Sequence, residues 1–430
     1  MAGIASRKAA LEILMRVEHE GAYADLLLGA RLPDFAEKDR GLVTLMVLGT
    51  LAWRARLDFE IERLASRPLA KIDAAVLEIL RLGLFQIRHL DRVPKHAAVD
   101  TAVTIANSDR RTRDASGFIN AVLRKAARSD PPEFAIAGDE IGSLALKYSH
   151  PRWMAERFVE VFGRTEAAAL MAANNEAAPT AIRMNLARAS RDEILARIRN
   201  DGLEIGREGS FPETMILKGS PHFESASFRE GLFHVQSEAS QIIARKLAPE
   251  PGATVVDCSA APGGKATHLA ELIGPEGRVI ALDVNLAGLR ATRAIAQRLG
   301  HRNIFCARAD VAKAIPLRPA SFDYVLLDAP CTGTGTLREH PEIRWRLRPS
   351  DPARLAKLQL AMLRNAAALL RRGGAIYYSV CSLMVEEGPE VVAGFLADHP
   401  QYRADSEATV LTRPNRSGLD GFFGVRIVRG

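Results

Sequence analysis

The chain has 430 residues, 47% of them hydrophobic, and a formal net charge of +7. That length carries two or three domains with sizeable cores and excludes a short disulfide-stapled scaffold. The four cysteines, Cys258, Cys306, Cys331 and Cys381, include no C-x-x-C pair, so they suggest neither a zinc or other metal site nor a disulfide framework, and they fit a reducing cytoplasm.

The basic excess fits an anionic partner such as RNA. The N-terminus has no signal-peptide apolar core. The uncharged stretch from Gly41 to Trp53 is too short to cross a bilayer and reads as a buried helix. A soluble, cytoplasmic protein without a membrane partner is expected.

In chain order, residues 1–130 read as all-helical. Ala10, Ile13, Leu14 and Val17 recur at helical spacing. Val76, Leu77, Ile79, Leu80, Leu84 and Ile87 are more crowded, as in a central core helix. The pair Pro131-Pro132 sets a first boundary.

Residues 131–240 read as a small mixed α/β region. Helices are expected over Ile141–Tyr148, Trp153–Phe162 and Ala167–Asn174, a strand over Thr180–Leu186 and a helix over Arg191–Asn200. Gly206, Gly209, Pro212, Gly219 and Pro221 mark short loops and strands.

Residues 241–430 change rhythm to strand, loop, helix, repeatedly. Strands are predicted over Thr254–Asp257, Arg278–Asp283, Ile304–Ala307, Phe322–Asp328 and Ala375–Val380. Helices are predicted over Lys265–Leu272, Leu286–Leu299 and Ala353–Leu370. This alternation implies a doubly wound, Rossmann-like parallel sheet.

The first strand runs into Asp257-Cys258-Ser259-Ala260-Ala261-Pro262-Gly263-Gly264-Lys265. Small residues let the backbone approach a ligand, and the following helix offers free N–H groups. Asp283 ends the second strand, where a carboxylate reaches a ribose diol. Asp310 follows the third, within reach of an adenine or its ribose edge. The loop is not G-x-G-x-x-G, which argues against NAD and FAD.

The fourth strand ends Leu327-Asp328-Ala329-Pro330-Cys331, and the fifth ends Tyr378-Ser379-Val380-Cys381-Ser382. In a doubly wound sheet, strands one, four and five lie side by side, about 4.8 Å apart. Lys265, Asp328, Cys331 and Cys381 therefore converge at one crevice. Cys258 and Cys306 read as inert packing residues.

Carbon methylation of a pyrimidine needs such a set. C5 of cytosine is a poor nucleophile until a thiolate adds at C6. Asp328 is placed to hydrogen-bond the ring edge at N3, and Lys265 to orient the base. Spacing alone does not rank Cys331 against Cys381, because DNA cytosine methyltransferases carry their nucleophile in the Pro-Cys motif.

At these residues the sequence resembles the RsmB/Sun (Fmu) family of bacterial RNA 5-methylcytosine methyltransferases. The resemblance includes Val256–Lys265, Asp328-Ala-Pro-Cys331, Cys381-Ser382 with Glu386-Glu387, Asp420-Gly-Phe-Phe423, and Gly231–Glu238. The helical N-terminus is similar to NusB-type folds.

The resemblance implies three parts: an all-α NusB-like RNA-binding domain over residues 1–130, an α/β RNA-binding subdomain over 131–240, and a Rossmann-like methyltransferase domain over 241–430. It implies S-adenosyl-L-methionine as cofactor, lined by Ser259, Ala260, Ala261, Pro262, Gly263, Gly264, Lys265, Asp283, Asp310 and Asp328. It implies Cys381 as nucleophile, Cys331 as the residue that helps release methylated RNA, and Asp328 and Lys265 as holders of the cytosine. The implied substrate is small-subunit (16S) ribosomal RNA, with transfer RNA or a non-catalytic RNA-binding and ribosome-assembly role as alternatives. The sequence departs from the family where Cys258 precedes Ser259, a frequent family cysteine position, and where Val380 stands for the usual threonine.

Two basic stretches are candidate RNA contacts. Arg338, Arg344, Arg346 and Arg348 surround Trp345 in a loop leaving the active edge, placed to grip phosphates and stack a base. Arg110, Arg111, Arg113, Arg124, Lys125 and Arg128 form a second cluster.

Overall fold

The computed structural model describes residues 2–219 and 225–430, so Pro221 lies outside the described residues. The chain forms two compact units. The first is Met1–Ala177 with Leu337–Leu347, and the second is Ala178–Thr336 with Arg348–Gly430.

The first unit is helical: α1 (Ala2–His19), α2 (Ala24–Arg31), α3 (Glu37–Ala52), α4 (Arg54–Ala65), α5 (Ala74–His89), α6 (Lys95–Ser108), α7 (Ser116–Arg128), α8 (Glu140–Lys147), α9 (Arg152–Phe162) and α10 (Arg164–Ala173). The Asp73 side chain caps α5 by accepting from the N–H groups of Ala75 and Val76. Helix α5 then buries nearly every residue from Val76 to Ile87, which explains its crowded apolar pattern. Ala10, Ile13, Leu14 and Val17 of α1 are buried in the same core. Gly49 of α3 permits the close crossing there, since a Cβ would sit 2.1 Å from the Phe85 ring. The stretch from Gly41 to Trp53 is amphipathic rather than wholly buried. Val43, Met46, Val47 and Leu51 face inward, while Leu45 is half exposed.

The arginine–tryptophan segment, expected as a loop, departs from expectation, and Ile343–Arg346 within it is a short helix. Residues Leu337–Leu347 belong to the helical unit. Arg344 is fully buried and donates to the carbonyls of Ser149 (3.0 Å), Asn174 (3.1 Å), Leu337 (3.3 Å) and Ala52 (3.4 Å) and to Asn175 Oδ1 (2.7 Å). Burial pushes its guanidinium down to about 9, against the raising effect of Glu342. The Trp345 indole N–H donates to the Leu51 carbonyl at 2.7 Å. Arg346 donates to the carbonyls of Val17 and Ala22. Glu342 accepts from the Ala24 N–H at the start of α2. These donors are spent on carbonyls that helix ends and loops leave without partners, so Arg344, Arg346 and Trp345 are structural plugs, not phosphate or base contacts. Arg338 is buried as well. Arg348 alone of the set lies in the second unit and is exposed.

The second unit holds two sheets. The small one comprises β1 (Thr180–Met184), β2 (Ile205–Glu208), β3 (Thr214–Leu217) and β4 (Phe233–Val235), in antiparallel order β2-β3-β1-β4. Helix α11 (Arg191–Asn200) begins with a complete capping box between Ser190 and Glu193 and packs Ile194, Leu195 and Ile198 on that sheet.

The large sheet comprises β5 (Thr254–Asp257), β6 (Arg278–Asp283), β7 (Ile304–Arg308), β8 (Phe322–Asp328), β9 (Leu370–Val380), β10 (Tyr402–Thr412) and β11 (Phe422–Arg429). Its order is β10-β11-β9-β8-β5-β6-β7. Strands β5 to β9 are parallel, as the strand–helix alternation predicts, and β8 lies between β5 and β9. The sheet is nevertheless mixed, because β11 runs antiparallel to β9 and β10 antiparallel to β11. A hairpin at the end of the chain has no crossover helix to keep it parallel. The helix predicted to reach Leu370 stops at Ala367, and Leu370 opens β9.

Candidate active site

The crevice forms where β5, β8 and β9 end. In the β8–β9 register Asp328 pairs with Ser379, so the Pro-Cys loop and the Cys-Ser loop leave adjacent strand ends. The Sγ atoms of Cys331 and Cys381 lie 3.3 Å apart. Lys265, in the first turn of the helix Gly264–Ile273, places its Nζ 2.6 Å from Asp328 Oδ2. Ser379 donates to Asp328 Oδ1 at 2.7 Å. The four reactive residues expected to converge do so.

The surroundings of Cys331 act on its proton. The Cys331 thiol is pushed well above its ordinary value by its hydrogen bond with Cys381, by burial, and by the charges of Cys381 and Glu387. The Lys265 ammonium loses solvation by burial, yet its affinity for the proton is raised on balance, chiefly by Asp328 and also by Cys381 and Asp257. Cys258 is buried and its thiol is driven up by desolvation, while Cys306 is half-buried on β7 and also raised by burial.

The glycine loop between β5 and the next helix is shaped by backbone demands. Gly263 has φ +116, a region L side chains rarely adopt, and a Cβ there would lie 2.8 Å from Thr292 Cα. The peptide before Pro262 is cis. Ala260 donates to the Leu282 carbonyl, and Ser259 to Asp257 Oδ1. The Asp283 carboxylate accepts from the N–H of Ala261 (3.0 Å) and of Asn285 (2.8 Å), which pins the loop to the end of β6. Asp310, after β7, accepts from Ala312 N–H and pairs with Lys313.

Three residues with evident roles here escape a reading of local pattern. Ser379 orients Asp328, and a polar residue amid the apolar run of β9 is its only signal. Arg183, fully buried on β1, donates to the Gly264 carbonyl (2.8 Å), Thr267 Oγ1 (2.9 Å) and Glu271, so the small sheet anchors the helix that follows the glycine loop.

Asp257 is the third. Burial pushes its carboxyl up to about 7, and its Oδ2 is buried without a hydrogen-bond partner. The folded chain therefore keeps a proton that the unfolded chain releases near pH 4, and folding stability falls as pH rises from about 4 to about 7. Asp257→Asn, which cannot ionise, is expected to flatten that fall. Urea unfolding of both chains at pH 5 and pH 8 checks it, and equal pH slopes would contradict it.

S-adenosylmethionine presents a ribose diol, an adenine, an amino-acid end and a sulfonium. The residues present fit it. Asp283 is half-buried and retains lone pairs beyond the two it gives to backbone N–H groups. The first-turn N–H groups of Gly264–Ala266 are of the kind a helix leaves free, and the orphaned Asp257 oxygen lies at the start of the same loop. A doubly wound sheet with this loop and these strand-end carboxylates defines an S-adenosylmethionine-dependent methyltransferase.

Comparison with known proteins narrows the class. The family model for the 16S rRNA methyltransferase RsmB/F matches residues 244–423, that for the NusB family residues 4–128, and that for the RsmF/B-like ferredoxin-like domain residues 150–223. The probable ribosomal RNA small subunit methyltransferase B of Bacillus subtilis is 33% identical over 440 residues, covering 97% of each chain. The ribosomal RNA small subunit methyltransferase B of Klebsiella pneumoniae is 31% identical, covering 98% of each. The crystal structure of PH0851 matches with a TM-score of 0.85 over 98% of each chain at 27% identity. The chain belongs to the RsmB/F family of methyltransferases. Residues 4–128 are NusB-like and the C-terminal part is a Rossmann-like methyltransferase domain, as expected. The middle region, expected only to be a small α/β part, is ferredoxin-like over residues 150–223, a match that begins within the helical unit. Among the described residues no helix is long and apolar enough to cross a membrane.

Proposed function

We propose that the protein methylates C5 of a cytosine in small-subunit (16S) ribosomal RNA through a covalent bond between Cys381 and C6. The observation that carries this reading is the pair of thiols 3.3 Å apart beside the Lys265–Asp328 ion pair. The ribosomal substrate rests on the names of the relatives, which act on small-subunit ribosomal RNA by name.

When bound, S-adenosylmethionine supplies an electrophilic methyl group on its sulfonium. Ser259–Lys265, Asp283, Asp310 and Asp328 hold it against the crevice. The Cys381 thiolate gives its electron pair to C6, and the C5–C6 π pair moves to C5, which takes the methyl group. Asp328, held in place by Ser379 and Lys265, donates to N3 in its protonated form as charge builds there. Loss of the C5 proton to a base restores the double bond, and Cys381 leaves with its electron pair.

Lys265 and Cys381 interact electrostatically, and Cys331, raised by its bond with Cys381, by burial and by Glu387, assists release. The target base must be unstacked, since C6 is unreachable within a duplex. Residues 1–130 and 131–240 serve as RNA-binding parts and 241–430 as the catalytic part, acting in the cytoplasm.

RNA containing 5-fluorocytosine tests the chemistry. Fluorine cannot leave C5 as a proton does, so the covalent complex accumulates with cofactor present. An intact enzyme that forms none would overturn the reading. Bisulfite mapping of cellular RNA with and without the protein identifies the nucleotide.

The exposed cluster of Arg110, Arg111, Arg113, Arg124, Lys125 and Arg128 remains available to phosphates. RNA affinity is expected to fall with salt, at a slope of about −0.7 per phosphate contacted on a single strand. Substituting alanine for both Arg124 and Lys125 should flatten the slope by about 1.4 if each contacts one phosphate. Filter binding at several salt concentrations measures it, and an unchanged slope would remove these side chains from the RNA path.

A further inference from the structure

We propose that Glu387 is a positioning residue for both thiols: a single buried carboxylate that locks the Cys331 loop to the Cys381 loop and fixes the sulfur-to-sulfur geometry on which catalysis depends.

Glu387 lies between β9 and the helix Pro389–Asp398 and is fully buried. Its Oε1 accepts from the Thr332 N–H at 2.8 Å and from Gln359 Nε2 at 3.0 Å. Its Oε2 accepts from the hydroxyls of Thr332 and Ser382. Thr332 follows Cys331 and Ser382 follows Cys381, so one carboxylate holds the residue after each sulfur. Gln359 also donates to the Pro330 carbonyl at 2.9 Å, which pins the other side of Cys331. Tyr378, on β9, donates to the Glu387 carbonyl, securing the clamp from the strand that leads to Cys381.

A carboxylate with four donors suits this task because two short loops cannot supply enough backbone acceptors to one another. Surrounding bonds tie the same loops: Gly335 N–H donates to the Cys381 carbonyl, and Leu383 N–H to Thr334 Oγ1, both at 3.0 Å. Glu387 is the point where they converge. Its charge has a second effect, since it is among the causes that hold Cys331 as a thiol. Removing the carboxylate therefore relaxes the geometry and also removes one of the causes that raise the Cys331 thiol.

This inference rests on the covalent reading above, and its tests separate the two. Glu387→Gln keeps an amide oxygen toward Thr332 N–H and Gln359, and its NH2 faces hydroxyls that can turn to accept. The clamp survives and the charge is lost. Glu387→Ala loses both.

In the full-length chain, alanine is expected to slow adduct formation on 5-fluorocytosine RNA at least tenfold while calorimetric S-adenosylmethionine affinity stays within about twofold. Glutamine is expected to restore most of the adduct rate. It should also shift the pH profile of Cys331 alkylation by iodoacetamide, read by mass spectrometry without RNA, to lower pH. Should the alanine chain not fold, Ser382→Ala cuts one arm of the clamp and carries the same expectation of slower adduct formation. Wild-type adduct rates in the alanine or Ser382→Ala chain, or an unshifted Cys331 profile in the glutamine chain, would overturn the role. If the wild-type chain traps no fluorinated RNA, the covalent reading fails on its own account, whatever the alkylation profiles show.

Discussion

Cys381→Ala is expected to abolish both methyl transfer and trapping of RNA, whereas Cys331→Ala is expected to accumulate a covalent RNA complex. Removing a nucleophile that splits one hard step into two easier ones costs on the order of 10⁴-fold or more in rate. The sulfurs are only 3.3 Å apart, so reach alone does not choose between them. The assignment follows the resemblance to the RsmB/Sun family, whose pattern gives the nucleophile's place to Cys381 and the release role to Cys331. Denaturing gel shifts of each variant with unmodified RNA report the difference. A trapped complex in the Cys381 variant and none in the Cys331 variant would exchange the two roles.

Arg344→Leu is expected to be the most destabilising substitution outside the crevice. It strands the carbonyls of Ser149, Asn174, Leu337 and Ala52, together with Asn175 Oδ1, in a buried site. Stripping one partner from a buried charged network costs about 3–5 kcal/mol. In the helical unit that corresponds to a fall in Tm of about 10 °C or more. Arg348→Ala, at an exposed position, should change stability by less than about 0.5 kcal/mol. Thermal unfolding separates the two. A stable Arg344→Leu chain with weakened RNA affinity would instead restore Arg344 as a phosphate contact.

That arginine also marks where local pattern stops being informative. Four arginines in a loop are ordinarily solvated, and nothing in their spacing tells a phosphate grip from a backbone plug. The apolar residues before and between them were the better hint: Leu337 is fully buried, and Ile343 and Leu347 are half-buried. The parallel strands were legible because short apolar runs ending in Asp257, Asp283 and Asp328 alternate with amphipathic helices. Strands β10 and β11 were not, because an edge hairpin with many exposed positions in β10 carries only a faint pattern. At the crevice, strand order alone brings Cys331, Cys381, Asp328 and Lys265 together. The acceptor role of Glu387 depends on loops distant in sequence, and no spacing encodes it.

The excursion of residues 337–347 into the helical unit bears on biosynthesis. An N-terminal fragment ending at Ala177 would emerge from the ribosome with the acceptors on Ala52, Ser149 and Asn174 still lacking their guanidinium. Those acceptors thus stay without this partner until more than 150 further residues have been made.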